Sequence, residues 1–305
     1  MSLKHIKLKI QSVKKTAKVT RAMEAVSAVK MRKAQERALG SRGYARAAMR
    51  ILSQVSGSLE KSQHPLVVER EVGKTVIVIV TSDKGLAGSL NASVLKMVQS
   101  IVKEQNLSAS DVEVLCIGRR GLEFAQRRGF KVVYSEINVS DNISIEYLQE
   151  IATTIINMQT AGVSKKVYIV YTNFISTFEQ KAVARKILPL SQDAINQMVT
   201  EIVPKKGKFS QVATSDAKIS GEYLIEPDQT SVFNMVLPYL ANIAVFHALA
   251  ESKASEHSAR MVAMKNATDK AKEIAHELTL EFNKKRQAAI TAEVSEITSG
   301  MEAMK

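Results

Sequence analysis

Three places in this chain hold residues whose types and spacing suggest chemistry. The first is TVIVIVTSDKGLAG, from Thr75 to Gly88, an apolar run that empties into a polar turn. Open α/β sheets bind ligands at the carboxyl ends of their strands, and Asp83 with Lys84 stands at that position as a contact point. The glycines follow neither G-x-G-x-x-G nor G-x-x-x-x-G-K-[ST], so no phosphate cradle is specified. A tight turn in which glycine permits close backbone packing accounts for them. The second place is His276-Glu277, which opens like the zinc motif H-E-x-x-H, but Leu280 stands where the second histidine belongs. His5, His64, His247 and His257 have no ligand spacing, and no Ser/His/Asp grouping stands out. Neither a metal site nor a catalytic site is expected.

The third place is a concentration of charge. The chain carries a formal +13, and residues 1–50 hold 14 Lys and Arg against only Glu24 and Glu36. Residues 251–305 hold 9 basic and 9 acidic side chains. Such a basic segment calls for an acidic partner surface, whether nucleic acid, anionic lipid or protein. Nucleic acid is the rival on charge alone. Against it, residues 1–50 offer one aromatic, Tyr44, for stacking on bases. The basic residues also share their helix with an apolar seam committed to pairing.

The elements that must position these residues are two long helices around an α/β middle. No Gly or Pro occurs from Met1 to Leu39, nor from Tyr239 to Ser299. As helices these runs reach roughly 58 Å and roughly 90 Å, more than one globular core covers. The second outreaches the first, so part of it must project alone or be covered by another protein. Leu3, Ile6, Ile10, Val13 and Ala17 step by three and four and mark a seam, continued less regularly through Met23, Val26, Met31 and Ala34. Gly40 and Gly43 weaken this helix, and Gly57 with Pro65 ends it. Ile290, Val294, Ile297 and Met301 form a second stripe. A bearing against a partner and an ordinary coiled-coil seam both fit it.

Between the helices, strand-like runs without alternation are separated by helical patterns, which indicates a mainly parallel sheet covered on both faces. The segment from Ala182 to Glu226 has no clear assignment, and residues 203–222 read as a polar loop or excursion. Asp228 is a candidate N-cap for the last helix, with Pro238 kinking it or marking its true start. The expected division is a helix over 1–58, an α/β domain over 59–227 and a helix over 228–305. No run of 18 apolar residues occurs, so no membrane span is expected. The basic start lacks the apolar core of a secretory signal and continues into the first seam, so it reads as mature structure. Cys116, the only cysteine, sits in an apolar strand and reads as a core residue.

Several stretches together resemble one family. IKLKIQSVKKTAKVTRAMEAVSAVKMRKAQ and TSDKGLAG are similar to the first helix and first turn of the gamma subunit of F-type ATP synthases. SEHSARMVAMKNATDKA and FNKKRQAAITAEVSEITSG resemble that family's C-terminal segment. The chain departs from the family at Met301, where alanine is usual, and at Ala87, where cysteine is common. With one cysteine it cannot form the regulatory cysteine pair of chloroplast members. The resemblance implies an antiparallel coiled coil of the terminal helices and a central Rossmann-like domain.

Its implied role is a non-catalytic rotor shaft turning inside a ring of three alpha and three beta subunits. It would also join the epsilon subunit and a ring of c subunits, and would couple proton flow to ATP synthesis and hydrolysis. ATP, ADP and magnesium would bind the partner subunits, and no cofactor this chain. Contacts with beta are implied for Lys18, Arg21, Met23, Lys30, Arg32, Arg286, Gln287, Thr291 and Glu293, and contacts with beta or epsilon for Asp83 and Lys84. Arg260, Lys265 and Asp269 match a segment nearer the first helix, where helix–helix pairing is as good a reading. Ile290, Val294, Ile297 and Met301 would be the bearing tip. The implied place is the cytoplasmic face of a bacterial inner membrane, reached through the complex.

Overall fold

A computed structural model describes residues 2–59, 64–143, 145–190 and 228–302, with Met304. The polar stretch 203–222 lies outside the described residues. The chain divides into two compact units, residues 1–28 with 260–305, and residues 29–259. Helix α1 (Leu3–Leu59) and helix α5 (Gln229–Glu302) each contribute to both.

The second unit is built on a sheet of β1 (Lys74–Val80), β2 (Val112–Ile117), β3 (Lys131–Glu136), β4 (Ser164–Phe174) and β5 (Gln180–Leu188). Its order is β3-β2-β1-β4-β5, with only the β4–β5 pairing antiparallel. Helices α2 (Leu90–Glu104), α3 (Arg119–Arg128) and α4 (Ile145–Thr160) make the crossovers. The central strands read as unbroken apolar runs because both faces are covered. Val76, Val78 and Val80 pack with Ile151 and Ile155 of α4 and with Leu237, Leu240, Val245 and Leu249 of α5. Ile77 and Ile79 point to the opposite face, with Val94 and Val98 of α2 and Phe124 of α3. The edge strand β3 instead alternates between exposed and half-buried positions.

Strand β5 occupies part of the stretch that the sequence left unassigned. Its residues QKAVARKIL mix charges with apolar groups, as suits an edge strand. Asp228 caps α5: its carboxylate accepts from the Ser231 amide at 2.9 Å and from the Ser231 hydroxyl at 2.6 Å. Pro238 lies inside the helix rather than at its start. By length and composition α5 holds a window apolar enough to cross a membrane. Several of its apolar residues belong instead to the sheet's core.

The order reverses between β1 and β4, the switch point where an open α/β sheet offers a crevice. Here the protein's own groups fill the strand ends. Ser255 of α5 donates its hydroxyl to the Thr172 carbonyl at 3.0 Å, and Glu251 accepts the Phe174 amide at 3.0 Å. At the end of β1, Asn91 bonds both the amide and the hydroxyl of Ser82.

Candidate functional site

In the first unit the segments of α1 and α5 run antiparallel. Thr20 Oγ1 and Thr268 Oγ1 meet at 2.7 Å. Further along, the Glu281 carboxyl is held below its usual range, first by Lys285 and more weakly by Lys9. Ile6, Ile10, Thr20 and Ser27 are buried on α1, and Met264, Thr268, Ala271 and Ala275 on α5. The expected seam positions Leu3, Val13 and Ala17 are half-buried beside them. Val26 does not continue the seam: it is 57% exposed, and Ser27 takes the buried position. The three-and-four stepping from Thr20 leads to Ser27, and that geometry overrides the greater hydrophobicity of valine.

The Thr20–Thr268 contact gives a measurable result. Thr268→Val should cost about 1 kcal/mol through loss of the interhelical bond, while the Thr20 hydroxyl keeps the Thr16 and Ala17 carbonyls of its own helix at 3.1 and 3.2 Å. Thr20→Val combined with Thr268→Val should cost less than the two single changes summed. Thermal unfolding of the four variants of the cycle would test this. Strict additivity would remove the interhelical bond.

The residues singled out from sequence fall into separate groups. Lys18 and Arg21 are exposed on α1 and Met23 is half-buried. Arg286, Gln287, Thr291 and Glu293 are exposed near the end of α5. In an antiparallel pair aligned at Thr20 and Thr268, these groups lie roughly 25–40 Å apart along the axis. Ile290, Val294, Ile297 and Met301 are between 51% and 65% exposed, although they share one helical face. Arg286 and Glu293 flank that stripe on one side, and Gln287 and Thr291 on the other. Arg260 is buried, whereas Lys265 and Asp269 are exposed and Asp269 pairs with Lys272 of its own helix at 3.6 Å.

Lys30, Arg32, Asp83 and Lys84 belong to the second unit, and Arg32 and Lys84 are exposed there. Asp83 is engaged internally: its two carboxylate oxygens accept the amides of Arg119 and Val139, each at 3.0 Å. The same loop after β3 carries Asp141, which sequence reasoning missed. Its carboxylate accepts from Lys30 Nζ at 2.7 Å and lies 2.8 Å from His257 Nε2. Its carbonyl accepts from Arg37. Lys253 of α5 donates to the Val139 carbonyl at 2.9 Å. Partial burial alone would raise the Asp141 pKa, but the bonds from Lys30 and His257 outweigh it and hold the carboxyl at about 2. The ionised junction therefore contributes fully above the ordinary carboxylate value of about 4 and weakens as pH falls through about 2.

No group of three His, Cys, Asp or Glu among the described residues is placed to hold a metal ion. Burial pushes the Cys116 thiol up to about 12, leaving it protonated and unreactive.

The family model described as ATP synthase matches residues 2–304. The ATP synthase gamma chain of Cupriavidus pinatubonensis is 40% identical over 301 residues, covering 99% of each chain. That of Dechloromonas aromatica is 39% identical over the same shares. This chain belongs to the ATP synthase gamma-chain family. Among solved structures, a Euglena gracilis mitochondrial ATP synthase assembly titled OSCP/F1/c-ring contains a chain similar in fold. It has a TM-score of 0.63 at 18% identity, over 99% of this chain and 94% of that one. A chain of the Tetrahymena thermophila mitochondrial central stalk and c-ring gives 0.56 at 24% identity, over 82% and 99%.

In the first unit, Val19 and Val26 are each at least 57% exposed on α1, beside the exposed basic residues Lys18 and Arg21. Their spacing of seven is legible in the sequence as a stripe apart from the buried seam.

Proposed function

We propose that this chain is the central rotor shaft of an F-type ATP synthase. It would turn with a ring of c subunits driven by proton flow. Its uneven surface would then take the three beta subunits of a surrounding alpha/beta ring through different nucleotide affinities. Epsilon would join it at the sheet-bearing unit. The chain itself supplies no catalytic group and binds no cofactor in this reading; ATP, ADP and magnesium occupy the partner subunits. In a bacterial cell it sits at the cytoplasmic face of the inner membrane, held there through the complex.

The observation that carries the reading is 40% identity to a gamma chain along 99% of both sequences. The geometry supports it from another direction. Every residue from Thr291 to Met301 is exposed, including three apolar members of one stripe. Contiguous apolar surface of this kind marks a site for partners. The basic side chains of α1 suit a sliding contact, since each exposed ion pair is worth only about 0–1 kcal/mol and can be exchanged without a deep trap.

Affinity purification of the tagged chain from its own membranes, followed by native mass spectrometry, tests the reading. The expected complex holds three copies each of two nucleotide-binding subunits for one copy of this chain. Recovery with nucleic acid, or as a free oligomer without such a ring, would overturn it.

A further inference from the structure

At the loop after β3, groups from the sheet-bearing fold and from both long helices converge on a few polar atoms. Asp83, just past β1, holds the loop at the Val139 amide, and Lys253 holds the carbonyl of the same residue. Two residues on, Asp141 takes Lys30 and Arg37 from α1 and His257 from α5. His257 is 3% exposed. Elsewhere the sheet meets α5 largely through apolar packing, which is non-directional and resists sliding weakly. Hydrogen bonds to charged groups fix direction as well as distance.

We propose that Asp141 is a positioning residue, a latch that locks the segments of α1 and α5 within the second unit to the β3–α4 loop, so that sheet and helices turn together under torque. The latch acts through Lys30, Arg37 and His257 and touches no nucleotide. Removing it loosens the grip on the helices while the core beneath remains packed. Its role in torque rests on the rotor reading above; its existence as a lock does not.

Two measurements on Asp141→Ala, Asp141→Asn and Asp141→Glu test the proposal. The first is hydrogen exchange on the full chain. Asp141→Ala and Asp141→Asn should speed exchange at least tenfold over residues 137–143 and 250–258 and leave β1 and β2 unchanged. Unchanged exchange in the loop, or equal loss throughout the sheet, would overturn the latch whether or not the variants assemble. The second is coupling in assembled complexes, normalised to the amount of this chain present. Gradient-driven ATP synthesis should fall at least fivefold in Asp141→Ala while ATP hydrolysis stays within about twofold, and Asp141→Glu should restore most of the synthesis. Synthesis and hydrolysis falling in parallel, or neither changing, would overturn the role in torque. If the native chain yields no ring complex, the rotor reading fails, and hydrogen exchange still decides whether the latch exists.

Discussion

Gly118→Ala should prevent stable folding of the sheet-bearing unit. Gly118 follows β2 at a φ of +96°, and a Cβ there would lie 2.1 Å from the Thr81 carbonyl oxygen. That oxygen is fixed backbone at the end of β1. The Thr81 amide bonds the Ile117 carbonyl at 2.8 Å, and the Thr81 hydroxyl accepts the Gly121 amide at 2.8 Å. Backbone strain and overpacking together should cost roughly 3–6 kcal/mol, a large part of the roughly 5–15 kcal/mol that holds a domain folded. Gly129→Ala is the control. Gly129 ends α3 at a φ of +69°, but nothing lies within 4 Å of its would-be Cβ, so it should lose only about 1–2 kcal/mol. Soluble yield and melting temperature of the two variants would decide the matter. Equal behaviour would mean that the close approach of β1 and β2 is not the constraint.

The second large effect is functional. Replacing Arg286 and Gln287 together by alanine should lower coupled ATP synthesis about tenfold with little change in assembly. Both side chains are exposed and flank the apolar stripe, where a guanidinium fork and an amide can engage a loop of a beta subunit. Losing a charge-assisted contact worth roughly 1.5–3 kcal/mol at one stage of the cycle gives a rate loss of that order. Lys285→Ala is the matched control, because Lys285 pairs with Glu281 of its own helix at 2.7 Å. Native synthesis rates from an intact double variant would remove the proposed catch.

The fold class was legible in the sequence because its strongest signals are local. Long stretches free of Gly and Pro announced the helices, and unbroken apolar runs announced strands covered on both faces. Strand β5 was hidden because an edge strand tolerates Lys181, Arg185 and Lys186, and charge hid its pattern. The seam was misread at Val26 because hydrophobicity was weighed above spacing. Asp141 could not have been found in this way. It sits in the plain turn sequence NVSDN, and Lys30 and His257 lie 111 and 116 residues away. Only the folded chain brings them together.

The pairing of α1 and α5 in the first unit has a mechanical side. Around Thr20 most of the buried positions are filled by small side chains, Thr20, Ser27, Thr268, Ala271 and Ala275, with the larger Met264 one turn from Thr268. Small side chains allow helix axes to approach toward the lower end of the usual range of about 8–10 Å. The resulting rod is slender, and resistance to twisting rises steeply with a rod's radius. If the chain is the rotor proposed above, such a pair would wind under load and unwind as the load passes, acting as a spring. Bulkier residues at Ser27 and Ala271 would thicken and stiffen it.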